Sequence, residues 1–427
     1  MPSLGAIADD FTGATDLATM LVARGHRTVV TVGPDAMDGG TGEAAVRDAD
    51  AVVVALKSRT APVGEAVATS LAALRALRAA GCERFYFKYC STFDSTPRGN
   101  IGPVADALLA ELGERRTVVV PSFPATGRTV YKGRLFVHED LLEESPMRHH
   151  PLTPMHDSHL GRLLAPQTGH PVRLIGLDTV RAGSDALREA LDAPDLADAL
   201  VVVDAVSDED LATVSAATSH LTLVTGAAGL AVGLTGPHAD AARATPASRP
   251  GDPGAVLSGS ASSATRAQVA HARVRLPHRK LDLAALRADF AGTVAGLVGF
   301  ARRAWDDDPA KPPLIYAVDD LADLEQPAPH GGPAASELVE RALAACAADL
   351  VAAGLRRLLV AGGETSGAVV TALGVRTLSI GSPIAPGVTW ARADCRAGGR
   401  EHTVDLALKS GNFGGTDIFT ESWSALA

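Results

Sequence analysis

The sequence predicts a two-domain α/β protein, each domain built on a largely parallel sheet flanked by helices. Three observations carry that prediction. Short β-branched runs alternate with longer stretches of helical periodicity, which is the pattern of βαβ units. A stretch rich in Pro, Gly and Ala, GPHADAARATPASRPGDPG from Gly236 to Gly254, interrupts that alternation and reads as a linker. Aromatic residues make up only 4% of the 427, so the core should be aliphatic, as suits buried parallel strands. The expected organisation is therefore a domain over 1–235, a linker over 236–254 and a second domain over 255–427.

Along the first domain, strands are expected at Leu4 to Ala8, Thr28 to Val32, Ala51 to Leu56, Arg84 to Tyr89, Thr117 to Val120, Val172 to Leu177, Leu200 to Val203 and Leu221 to Thr225. Helical patterns lie between most of them. From Gly64 to Ala80, for example, Val67, Leu71, Leu74 and Leu77 recur at helical spacing. In the second domain, strands are expected near Ala255 to Leu257, Leu314 to Val318, Arg357 to Ala361 and Thr377 to Ile380, with helices over Ala284 to Trp305 and Ala334 to Ala353.

Composition narrows the function. A formal net charge of −10 argues against nucleic acid as a partner, because phosphate-backbone binding needs a basic surface. An anionic small substrate stays open, since a few local cations can outvote the global field. The four cysteines, Cys82, Cys90, Cys346 and Cys395, form no CxxC pair, so neither a disulfide framework nor a zinc site is indicated and a reducing cytoplasm fits. No stretch approaches the roughly 20 apolar residues of a membrane helix. Oligomeric state is not readable, which leaves a homodimer open.

Ligands of open α/β sheets sit outside the carboxyl edge, so residues that end strands matter. In IADDFTGATD, Ile7 to Asp16, a strand runs into Asp9 and Asp10 and then into a helix start, where Thr12 is expected to cap and Gly13 to let the backbone approach a ligand. Two adjacent acids there suit magnesium binding or acceptance of a hydroxyl proton; the plainer reading is that one of them only caps the helix. The third strand ends in Lys57, Ser58 and Arg59. The loop KYCSTFDSTPRGNIG, Lys88 to Gly102, offers Lys88 and Arg98 to grip a carboxylate and Asp94, Ser95 and Asn100 to bond hydroxyls, unless it is simply solvated.

Further on, HHPLTPMHDSHL gathers His149, His150, His156 and His159, but prolines interrupt it and no Cys or HExxH frame accompanies it. A substrate-facing or capping role is expected, with Asp157 starting the next helix. In the second domain three loops repeat one logic of strand, small residues and helix, which makes an anion nest from backbone N–H groups. They are LSGSASSATRAQV with Ser258, Gly259 and Ser260, LLVAGGETSGAVV with Gly362, Gly363, Glu364 and Thr365, and LKSGNFGG with Gly411 and Asn412. Each alone could be an ordinary tight turn; three together favour a nucleotide. No GxxxxGK[ST] exists, and GTGEAA at Gly40 to Ala45 does not follow a strand end, so neither a P-loop nor a dinucleotide fingerprint is present.

These segments, with PSFPATGRTVYKGRLFV between them, resemble in order those of the four-carbon acid sugar kinase family, from the first strand to near the C-terminus. HHPLTPM is similar to the branch acting on 3-oxo-tetronates. The resemblance implies an N-terminal substrate domain and a C-terminal nucleotide domain, with ATP and Mg2+ as cofactors and a sugar acid as the other partner. It implies that Ser258, Gly362 to Thr365 and Gly411 touch ATP, and that Asp9, Asp10, Arg59, Lys88 and Asp94 face the acid. Phosphoryl transfer then asks for positioning and charge neutralisation, with Asp10 or Asp94 orienting the attacking hydroxyl. A threonate or erythronate kinase would share every nucleotide loop; a non-catalytic sensor and an oxidoreductase are the readings from other classes.

Overall fold

A computed structural model describes residues 1–38, 40–150, 153–238, 243–320, 323 and 333–426. The chain forms two compact units, Met1–Ala242 and Arg243–Ala427. Strands of the first unit are β1 (Leu4–Ala8), β2 (Thr28–Val32), β3 (Ala51–Ala55), β4 (Arg84–Lys88), β5 (Thr117–Val120), β6 (Arg128–Tyr131), β7 (Arg134–Val137), β8 (Asp140–Leu141), β9 (Val172–Ile175), β10 (Leu200–Val203) and β11 (Leu223–Gly226). Its main sheet runs β2-β3-β1-β4-β11-β5-β10-β9 and is parallel at every pairing. Every residue of β1 and β3 is buried, as expected of strands covered on both faces.

Helix Val63–Ala79 turns Ala66, Ser70, Ala73, Leu74 and Leu77 inward. Leu74 and Leu77 are fully buried, and each such side chain contributes about 1.5–3 kcal/mol. Register levels the strand ends: Ala8 lies beside both Ala55 and Lys88, and Lys88 beside Gly226. The segments leaving β1, β3 and β4 therefore emerge together at one carboxyl edge. A small antiparallel sheet of β6, β7 and β8, which the sequence reading did not include, follows β5.

The second unit contains β12 (Gly254–Ser258), β13 (His278–Lys280), β14 (Leu314–Tyr316), β15 (Arg357–Ala361), β16 (Thr377–Ala385), β17 (Val388–Ala397) and β18 (Arg400–Lys409), in the order β13-β14-β12-β15-β18-β17-β16. Pairing is parallel from β13 to β18 and antiparallel through β17 and β16. The expected strand ending at Ile380 is thus the first arm of a longer antiparallel meander. Ser258, Ala361 and Lys409 share one register level, so a second carboxyl edge forms where β12, β15 and β18 end.

Two helices replace the single one expected over Ala284 to Trp305: Leu283–Ala288 and Phe290–Asp307. They part at Asp289, whose extended backbone lets its carboxylate accept from Gly292 N–H at 2.9 Å, the arrangement an Asp prefers over a helix interior. The linker reading also needs adjustment at its ends. Gly236 and His238 donate backbone bonds to Arg24 and Gly25, Ala244 donates to Ile380, and Asp405 accepts from Ala247 and Ser248. Residues 239–242 of that stretch lie outside the described residues. All four cysteines are free thiols, two in each unit; burial pushes Cys82, Cys90 and Cys346 up to about 12 and Cys395 up to about 11.

Candidate functional site

At the first unit's edge, β1 delivers Asp9 and Asp10, and the loop after β3 is bound back to β1 because Ser58 and Arg59 N–H groups donate to the Asp9 carbonyl at 3.0 and 3.1 Å. That brings the Arg59 guanidinium among the acids. Its Nε and Nη2 donate to the two Asp9 oxygens at 2.9 and 2.7 Å, Nη2 also reaches Asp10 Oδ1 at 2.6 Å, and Nη1 stands 3.9 Å from Asp94 Oδ2. A shallow concavity here is walled by Asp9, Ser58, Arg59, Asp94, Ser95 and Asn100 over an apolar floor of Phe87, Ile101 and Val104.

Burial pushes the Asp9 carboxyl up, more than Arg59 pulls it down. Burial acts on Asp10 as well, but the charges of Arg59 and Lys88 with hydrogen bonds from Thr12 and Gly13 hold it below the ordinary carboxylate range. The helix Phe11–Ala23 is capped by Asp10 itself, which accepts from Gly13 N–H at 3.0 Å; Thr12, the expected cap, instead donates its hydroxyl to Asp10 Oδ2. Asp10 therefore accepts four bonds, from Arg59, Thr12 and Gly13 on its carboxylate and from Ala14 N–H on its carbonyl. Among the described residues Asp94 carries fewer: Thr92 donates to Oδ1 at 2.6 Å, and Oδ2 has the long approach to Arg59. Phe93 sets its direction with a left-handed φ of 56°, held by a fully buried ring stacked edge-on against Tyr89.

Several residues expected to hold ligand turn out to be engaged with the protein. Lys88 is buried, its ammonium donating to the Tyr89 carbonyl at 2.9 Å beneath the carboxylates. Ser95 is buried against Gln167 Oε1 at 3.1 Å. The Asn100 amide donates to the carbonyls of Ser58, Arg59 and Ala61 and so staples the Arg59 loop. Arg98 is exposed, away from the concavity's lining.

Two residues not singled out from sequence belong to this edge. Asp16, one helical turn and a half after Asp10, is buried with Oδ1 lacking a partner among the described residues, and burial raises it to about 6. Arg128 is buried near Asp16, Asp94 and Cys90, and burial lowers its pKa. Both lie inside the motif segments, Asp16 in IADDFTGATD and Arg128 in PSFPATGRTVYKGRLFV, but only burial distinguishes them there.

Two of the four histidines in the segment HHPLTPMHDSHL serve the backbone. His159 Nδ1 caps the helix Leu160–Leu164 by accepting from Arg162 N–H, and His150 Nδ1 accepts from Thr153 N–H at 3.1 Å. Asp157, expected to start that helix, pairs with Arg162 and accepts from His159 N–H. Residues 151–152 of the motif lie outside the described residues.

In the second unit, the three glycine-bearing loops leave adjacent strand ends and touch. Gly259 lies so close to Thr365 Oγ1 that a Cβ would collide with it, and Gly362, with φ of 120°, opens the helix Gly363–Ala372 as its N-cap. Gly411 lies against Ser260 and Ser262, where a Cβ would meet their hydroxyls at 2.8 and 3.0 Å. Ser262 caps the helix Ser263–Arg273. Gly259, Ser260, Gly363, Glu364, Gly411 and the exposed Asn412 thus line a polar edge with two helix N-termini, a setting suited to phosphate. Ser258 and Thr365 are buried beneath it, and the Ser258 hydroxyl has no partner among the described residues. Among the described residues no group of three or more His, Cys, Asp or Glu is placed to hold a metal.

Comparison with known proteins fits this division. A family model described as a sugar-binding N-terminal domain matches residues 4–234, and one described as a nucleotide-binding C-terminal domain matches 255–419. The chain is 50% identical to a 3-oxo-tetronate kinase of Burkholderia multivorans, covering 100% of this chain and 97% of that one. It is 49% identical to a 3-oxo-tetronate kinase of Cupriavidus necator, covering 99% and 96%. A solved structure from Salmonella typhimurium LT2 superposes with a TM-score of 0.82 at 40% identity, covering 98% of both chains. Another, from Haemophilus influenzae, gives 0.74 at 38% identity over 99% of this chain and 100% of that one.

Proposed function

The chain belongs to the four-carbon acid sugar kinase family, and from that premise we propose that it transfers the γ-phosphoryl group of ATP to the terminal 4-hydroxyl of 3-oxo-tetronate. The observation that carries the site assignment is the concavity lined by Asp9, Arg59 and Asp94 at the carboxyl edge of the sugar-binding domain. Arg59 Nη1, which stands 3.9 Å from Asp94 Oδ2, offers a donor to the acid's carboxylate. Asp94 Oδ2 accepts the proton of the attacking hydroxyl, while Asp10, ionised and fully bonded, keeps Arg59 in place. Lys88 supplies charge from below rather than contact.

On the nucleotide side, the N–H groups around Ser260, Gly363 and Gly411 cradle phosphates, and Glu364 lies in the first turn of the helix there. When bound with ATP, Mg2+ would supply charge neutralisation at the phosphates, and Glu364 is the carboxylate of this edge that would help hold it. The test is a panel of four-carbon acids assayed with ATP and Mg2+, the product being identified by phosphorus NMR. Preferred turnover of 3-oxo-tetronate to its 4-phosphate is expected. Higher kcat/KM with D-threonate or D-erythronate would move the assignment to those acids, and nucleotide binding without turnover of any acid would point to a sensor.

A further inference from the structure

Lys409, the last residue of β18, is fully buried, and its ammonium donates to three neutral oxygens: Thr265 Oγ1 at 3.0 Å, the Ser410 carbonyl at 2.9 Å and the Gly411 carbonyl at 3.0 Å. No carboxylate lies within ion-pair reach of it among the described residues. A buried ammonium without a counter-charge is costly, and here burial lowers its pKa to about 7. The cation nevertheless sits between the starts of the helices Ser263–Arg273 and Gly363–Ala372, whose dipoles are also positive at that end.

The Gly411 carbonyl is the focus of this cluster. It accepts from Ser262 Oγ at 2.6 Å, Thr265 Oγ1 at 2.7 Å and Lys409, one more donor than its two lone pairs usually take. The three donors fix the Gly411–Asn412 peptide in place and polarise it.

We propose that Lys409 is a phosphate-recognition residue of the nucleotide site, locking the Gly411 loop in its phosphate-ready shape and supplying the buried positive charge that bound phosphates neutralise. The inference rests on the assignment of ATP to this domain. It assigns Lys409 a positioning and electrostatic role, so its signature is selectivity for the phosphate chain over the nucleoside.

Isothermal titration of the full chain with ADP, ATP and adenosine, together with steady-state kinetics, tests it. Lys409→Met should weaken ADP and ATP by roughly 10- to 100-fold and raise KM for ATP, leaving adenosine affinity and KM for the sugar acid within about twofold. Thr265→Val, nearly isosteric, removes one of the three donors to the Gly411 carbonyl and one acceptor of Lys409 and should give a smaller loss, roughly 3- to 10-fold, with the same selectivity. If Lys409→Met does not fold, that second variant decides. Equal losses for adenosine and ADP, or no loss in a folded variant, overturn the proposal. Parent protein that binds neither ADP nor ATP overturns the nucleotide assignment itself, a result distinct from tight parent binding with an unchanged variant.

Discussion

The two units place their chemistry at the same structural position, the carboxyl edge of parallel strands, and furnish it differently. In the sugar-binding unit the edge is made of charged side chains: Asp9, Asp10 and Asp94 around Arg59, with Lys88 and Asp16 below. In the nucleotide-binding unit it is made of backbone, glycines and hydroxyls over one buried lysine. The difference teaches that a small acid with several hydroxyls needs directional side chains, whereas a phosphate chain can be met by N–H groups and helix dipoles. Substitutions in the first edge should therefore change chemistry and electrostatics, and those in the second should change nucleotide affinity through backbone shape.

The largest expected effect is on turnover. Asp94→Asn should lower kcat by roughly 10²–10⁴ with KM for ATP nearly unchanged, the scale of a lost general base. Asp10→Asn should cost less, because Asn caps the helix as well as Asp does, though its bond to Arg59 loses charge. Parallel kcat measurements decide, and a greater loss at Asp10 would reverse the two roles. Next comes Arg59→Ala, which strands Asp9 and Asp10 without their shared cation and should destabilise the fold by about 3–5 kcal/mol in urea melts. An unchanged melt with a raised KM for the acid would mean that Arg59 serves the ligand alone.

Asp16 sharpens the comparison through pH. Burial holds its folded pKa near 6 against an ordinary 3.8, so between those values the folded chain keeps a proton that the unfolded chain has released. Its contribution to stability thus falls as pH rises through that window. Asp16→Asn, which cannot ionise, should gain on the parent from about pH 4 upward and level off above pH 6 at an advantage of up to ~3 kcal/mol. A stability difference that does not vary with pH would refute the raised pKa. The smallest effect is expected at Gly362→Ala, where φ of 120° and the Ser260 N–H near a Cβ impose strain of about 1–3 kcal/mol. KM for ATP should rise while KM for the acid stays put; the reverse pattern would contradict the division of labour between the two edges.

Much of this was legible before the structure. β1, β2, β5, β10 and β15 fall where their apolar runs put them, because a fully buried parallel strand writes itself as a block of Val, Ile, Leu and Ala. β17 escaped, since WARADCRA alternates buried and exposed residues and so shows no apolar block, and β18 with it, although its second half is buried throughout. Gly398 and Gly399, both at positive φ, were the available signal for the turn between them. Residue type located the candidate edge but not the use of each group. Ser95 and Asn100 have the chemistry to meet hydroxyls, yet Gln167 and three loop carbonyls claim them. Asp16 and Arg128 acquire interest only through burial, which no spacing in the sequence announces.

The free thiols offer a use of their own. Cys82 and Cys90 lie in one unit and Cys346 and Cys395 in the other, all with burial holding the reactive thiolate scarce. A thiol reagent can then react quickly with the buried Cys82, Cys346 and Cys395 only when a unit opens, so the order in which these three are trapped becomes a native stopwatch for each half of the molecule. Mass spectrometry of the trapped peptides would time the opening of the sugar-acid half and the nucleotide half separately, with no engineered label. Added ATP should slow one clock, and added sugar acid the other.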